Sequence, residues 1–157
     1  VIAKRIAMLA FQRILAATDF TETSDRALEF AIELARKFEA QITVVHAYQI
    51  PAMGFADGGY IAGAEVAAQL ATAGQKRLDA VLESKKIAGI PMTAVLREGV
   101  AWEEVNAVAK EIDANLIVIG THGRRGLARA LLGSVAENVI RTSTVPVLVI
   151  HGPREDK

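Results

Sequence analysis

The sequence predicts an α/β protein whose parallel sheet is covered on both faces. Five short apolar runs alternate with stretches in which apolar residues recur at helical spacing. The runs are continuous rather than alternating apolar and polar, as in strands buried on both sides. The chain has 157 residues, 52% hydrophobic and 23% charged, which is enough for one proper core and excludes a mostly disordered chain.

The first strand is Arg13 to Thr18. Thr21 then caps a helix, with Glu22 and Asp25 in the first turn, where negative charge suits the helix dipole. Ala27, Leu28, Ala31, Leu34, Ala35 and Phe38 form its apolar face. Gln41 to Ala47 is a second strand of the buried type. A long helix is expected from Glu65 to about Ile87, with Val66, Leu70, Leu78, Val81 and Leu82 on its apolar side. Met92 to Leu96 is the third strand. Trp102, Val105, Val108, Ala109 and Ile112 mark the next helix, and Asn115 to Ile119 the fourth strand. A helix follows Gly133, and Val145 to His151 is the fifth strand. The right-handed crossover rule leaves few ways to connect these elements. Pro51 to Gly63 is the one long irregular stretch. It reads equally as a surface connection or as a flap over a ligand.

Eighteen basic and eighteen acidic residues cancel, so net charge implies neither nucleic acid nor an anionic membrane as partner. The absence of cysteine excludes a disulfide framework and a thiolate metal site, and fits a reducing compartment. Val1 to Ala10 is basic and apolar like the opening of a signal peptide. Its apolar run is too short for a membrane span, and no convincing cleavage region precedes Phe11. It reads as an extension, and a cytoplasmic soluble protein is expected. There is no internal repeat and no linker. The division expected is an extension over 1–11, one domain over 12–152 and a tail over 153–157.

The most informative run is Gly120-Thr121-His122-Gly123, followed by nine residues and Gly133-Ser134. It lies between an apolar strand and a helix start. Glycine lets backbone approach a ligand closely, and the free N–H groups of a first helical turn favour a phosphate. Glycines also end strands and cap helices, but three of them with a hydroxyl residue in this order favour a phosphate site. No Gly-x-Ser-x-Gly elbow occurs, and no lysine follows the glycine loop, so this is not a conventional phosphate-loop ATPase.

In this spacing Asn115 to Ile150 closely resembles the C-terminal half of the universal stress protein family, in its nucleotide-binding branch, which carries Gly-x2-Gly-x9-Gly-(Ser/Thr). Leu131 to Ala136, Val145 to Ile150 and Ile14 to Phe20 are similar to the family too, so the resemblance runs from about Phe11 to His151. It implies a single three-layer domain of the adenine nucleotide alpha hydrolase-like type, with strand order 3-2-1-4-5. Ligands of such sheets sit beyond the carboxyl ends of the strands at the switch point, here between strands 1 and 4. Those strands end at Asp19 and Gly120.

The resemblance implies ATP as ligand. Asp19 would contact ribose or, through the phosphates, a magnesium ion. Its alternative role is to accept N–H bonds at the helix start between Thr21 and Ser24. The N–H groups of Gly123, Gly133, Ser134 and Val135 would hold the phosphates, with Ser134 able to cap its helix at the same time. Gly120 would let the sugar approach, and Ala17 and Ala47, near His46, would flank the base. Many relatives carry a proline or another small residue where Ala17 stands. Arg124, Arg125 and Arg129 lie in the nine-residue loop, and Arg124 is the candidate phosphate donor. His46, His122 and His151 match no ligand spacing, so a hydrogen-bonded structural role is expected of each. The function implied is an ATP-dependent sensor or signalling protein, homodimeric through the edge strand Val145 to His151, with little or no ATP hydrolysis. The alternatives are a nucleotide-free dimeric interaction module and a slow ATP hydrolase or phosphoryl or adenylyl transferase.

Overall fold

The computed structural model describes residues 11–50, 61–121 and 133–152. Its elements are β1 (Arg13–Ala17), α1 (Glu22–Phe38), β2 (Gln41–Tyr48), α2 (Ile61–Lys85), β3 (Met92–Glu98), α3 (Ala101–Glu111), β4 (Leu116–Gly120), α4 (Ser134–Thr142) and β5 (Val147–Ile150). All five strands are parallel, in the order β3-β2-β1-β4-β5. The single α/β domain and the strand order are therefore as expected. The proposed extension at 1–11 and tail at 153–157 lie almost wholly outside the described residues.

Alternation along each strand sends neighbouring side chains to opposite faces. Ile14 and Ala16 of β1, Ile42 and Val44 of β2, Leu116 and Val118 of β4 and Ile150 of β5 face α1 and α2. There they pack on Ala27, Leu28, Ala31, Ile32, Ala35 and Leu78. Leu15, Val45, Ile117 and Ile119 face α3 and α4, packing on Val105, Val108, Ala109, Ala136 and Val139. Ile14, Leu15 and Ile117 are fully buried. Each such side chain contributes about 1.5–3 kcal/mol relative to exposure.

Element boundaries differ from the sequence reading by up to four residues, most at the start of the long helix, the loop before it and the last strand. The long helix starts at Ile61, four residues before Glu65, because Gly63 is tolerated on an exposed face of its first turn. The flap proposed over Pro51 to Gly63 thus shrinks to 51–60, which lies outside the described residues. β5 starts at Val147 rather than Val145, because Ser143 Oγ both accepts from the Val145 N–H and donates to the Val145 carbonyl, each at 3.0 Å. That turn holds Val145 outside the ladder.

α1 is capped as its sequence indicates. The Thr21 side chain accepts from the Ser24 N–H and Ser24 Oγ accepts in return from the Thr21 N–H, a reciprocal capping box. Across the outer face Lys85 of α2 ties to α1, with Nζ 2.9 Å from Asp25 and 2.9 Å from Glu29. Burial alone would lower the Lys85 pKa, but hydrogen bonds to Glu29 and Asp25, together with their charges, outweigh it and raise the value.

Candidate functional site

β1 and β4 are paired through Ile14–Leu116, Leu15–Ile117 and Ala16–Val118, so their carboxyl ends run out side by side. From β1 the chain continues through Thr18, Asp19 and Phe20 into α1; from β4 it leaves through Thr121. The start of α4 closes on the same edge, because the Gly133 N–H donates to the Thr121 carbonyl while the Thr121 N–H donates to Ile150 at 2.9 Å. The fold thus brings Ala17, Asp19, Gly120, Gly133, Ser134 and Val135 to one edge of the sheet. Ala47 lies one strand away, in register with Arg97 of β3. Gly123, Arg124 and His122 fall outside the described residues, as do Arg125 and Arg129.

The turn after β1 is fixed on every side. The Thr18 N–H donates to the Val45 carbonyl at 2.9 Å. Its own carbonyl accepts from His46 Nδ1 at 2.8 Å, which makes Nδ1 the protonated nitrogen. Thr18 Oγ1 accepts the Phe20 N–H at 3.0 Å. Asp19 Oδ1 accepts the Thr21 hydroxyl at 2.6 Å and the Thr21 N–H at 3.1 Å. Asp19 therefore takes part in starting α1, the structural alternative raised for it, just beyond the carboxyl end of β1.

Two glycines have roles that local sequence does not reveal. A Cβ on Gly120 would come within 2.8 Å of Thr23 Cγ2 and 3.2 Å of the Thr23 backbone. Gly120 is thus required for the first turn of α1 to sit against the end of β4, independently of any ligand. Gly133, not Ser134, is the N-cap of α4, in extended backbone at φ −73° and ψ 152°. Ser134 is the first helical residue, because the backbone turns helical one position after the glycine. Among the described residues no side chain caps this helix at the Ser134 or Val135 N–H. The N–H of Gly133 is engaged by Thr121.

Thr121 is fully buried, unlike the solvent-facing residue expected of a loop. The sequence reading also missed a cluster beside Asp19. Phe20 has φ +63°, and its ring lies 4.3 Å from that of His46. Arg77 of α2 stands 4.2 Å over the Phe20 ring. One signal pointed there: Phe20 directly precedes the cap, where an apolar residue usually packs on the fourth helical residue, but that residue is Asp25. The ring must find its partners elsewhere. Among the described residues no group of three or more His, Cys, Asp or Glu could hold a metal ion.

An open parallel sheet with the ends of β1 and β4 and the start of α4 gathered at one edge is the class of arrangement that these elements build. The profile of the Universal stress protein family matches residues 10–151, and the chain belongs to that family. It is 34% identical over 148 residues to universal stress protein MJ0531 of Methanocaldococcus jannaschii, covering 93% of this chain and 85% of that one. Its fold is similar to that of MJ0577 from the same organism, described as a hypothetical protein, with TM-score 0.83 and 25% identity over 94% of this chain and all of the other. A universal stress protein from Archaeoglobus fulgidus, solved in complex with dAMP, has TM-score 0.61 and 26% identity, covering 90% of this chain and 99% of its own.

Proposed function

We propose that this protein binds ATP across the carboxyl ends of β1 and β4 and acts in the cytoplasm as a nucleotide-dependent sensor. The observation that carries the reading is the start of α4. Gly133 caps α4 without a side-chain bond, and its N–H bonds to Thr121, so the first turn of α4 starts at the edge where β1 and β4 end. Such a turn, with its dipole, suits a phosphate. The dAMP complex of the A. fulgidus relative supports an adenine nucleotide in particular.

In this reading Ser134 and Val135 bind phosphate, with Gly123 and Arg124 adding donors from the nine-residue loop, and Gly133 keeps the approach open. Ala17 and Ala47 flank the base, and Asp19 meets ribose or magnesium. The donor set fits: amides for the phosphates and a carboxylate for a hydroxyl or a divalent cation. Magnesium, when bound, would neutralise phosphate charge. The assembly is a homodimer through β5, which the strand order places at the sheet edge. An exposed apolar edge tends to pair.

Calorimetric titration of ATP into the wild type and into Gly123→Val and Gly133→Val tests the reading. Valine at either position should abolish binding in folded protein, and unchanged affinity in both would place the site elsewhere.

A further inference from the structure

We infer that Arg77 of α2 is a positioning residue for the nucleotide site, acting through Phe20 on Asp19; this rests on the ATP-binding reading above. A non-glycine residue at φ +63° is uncommon, and for a bulky one it requires surroundings that hold it. The backbone of Phe20 is held by Thr18 Oγ1, and its ring by His46 at 4.3 Å and Arg77 at 4.2 Å. Thr18, Thr21 and His46 all belong to the unit β1-α1-β2. Arg77 brings a polar hold on this ring from α2. It is solvent-exposed, and no ion pair of its guanidinium is found among the described residues.

Phe20 is adjacent to Asp19 in the chain, so a change in its backbone angle redirects the Asp19 carboxylate. The ring has space to move. Phe20, Leu28 of α1 and Val81 of α2 line a cavity of about 180 Å³ beside the turn. α2 comes close to the sheet at this level, where Gly74 is buried against Leu96 and His46. With Arg77 in place the turn is clamped between two layers; without it the ring can relax toward the cavity and Asp19 with it. By reciprocity, a nucleotide that selects the clamped turn must also favour the docked position of α2. α2 thereby becomes the element that reports occupancy.

The test is ATP affinity by calorimetry for wild type, Arg77→Ala, Arg77→Lys and Lys76→Ala, with hydrogen exchange of residues 74–80 with and without saturating ATP. A solvent-exposed cation over a half-buried ring accounts for a loss of roughly 2–5-fold in Arg77→Ala. Arg77→Lys should recover part of that loss. Lys76→Ala removes the same charge from a neighbouring exposed position and should bind like wild type. ATP should slow exchange in α2 of wild type but not of Arg77→Ala. Equal losses in Arg77→Ala and Lys76→Ala would reduce the effect to net charge and overturn the proposal. Wild-type affinity in Arg77→Ala would overturn it also, while leaving ATP binding intact. A wild type that does not bind ATP defeats the site reading itself and the proposal with it.

Discussion

Replacing Gly120 by alanine probes how β4 meets α1. The added Cβ would lie 2.8 Å from Thr23 Cγ2 and 3.2 Å from the Thr23 carbonyl carbon and oxygen. Ordinary carbon contacts are about 3.5–4.0 Å, so a β-branched methyl and a helical backbone must both give way. Overpacking of this kind costs about 1–3 kcal/mol. The φ of Gly120 is not in the left-handed region, so alanine also reduces unfolded-state entropy, which offsets about 0.4–1 kcal/mol. The net expectation is a destabilisation of roughly 1–2 kcal/mol, or a fall in Tm of about 2–8 °C for a domain of this size. Thr23→Ser removes the closest contact, Cγ2, and should recover part of the loss in the double variant. The coupling should exceed the ~0.5 kcal/mol within which independent changes add. Gly63→Ala is the control, since nothing lies within 4 Å of its Cβ direction and it sits in a helix. It should gain about 0.5–1 kcal/mol. Urea unfolding of wild type, the two single variants, the double variant and Gly63→Ala measures all of these. If Gly120→Ala is as stable as wild type, or if the Gly120 and Thr23 changes simply add, the steric account is wrong.

The Lys85 link between α1 and α2 should contribute up to about 1 kcal/mol, as befits partly exposed pairs. Because the folded pKa is raised, the contribution is fully present below the ordinary lysine value and is lost only as pH rises through the higher one. Lys85→Met should therefore lose stability at neutral pH and converge on wild type in strongly alkaline urea melts; a constant difference would refute the linkage. Light scattering at micromolar concentration should give a mass double the 16.8 kDa of one chain, and a monomer would remove the β5 dimer from the proposed function. Phosphate release with ATP and magnesium should fall well below roughly 1–1000 per second. Robust turnover lost in both His122→Ala and Asp19→Asn would promote the enzyme reading over the sensor.

The strands were legible because both faces of a parallel sheet are covered, so each reads as a continuous apolar run such as Leu116 to Ile119. The α1 cap was legible because Thr21 and Ser24 are local partners. The strand order was not in the periodicity; it followed from the resemblance. The convergence of Asp19 and Gly120 followed once that order was accepted. Long-range packing stayed hidden. Nothing near Gly120 shows that Thr23, almost a hundred positions earlier, forbids a side chain there. The stack of Phe20, His46 and Arg77 joins three separate segments with no shared period. Val145 misled because a β-branched residue beside a strand reads as strand, while the Ser143 hydroxyl claims its backbone.

The sheet divides the apolar interior into two compartments that share no side chain among the described residues. Helices on the two sides therefore pack on different side chains of the same strands. The turn after β1 is one place where the two sides are joined by a few residues. Ala17 is packed against the α3–α4 side, and three residues later Phe20 is packed against the α1–α2 side. A few consecutive peptide units there act as an axle through a wall. A load applied at Asp19 on this axle reaches both compartments.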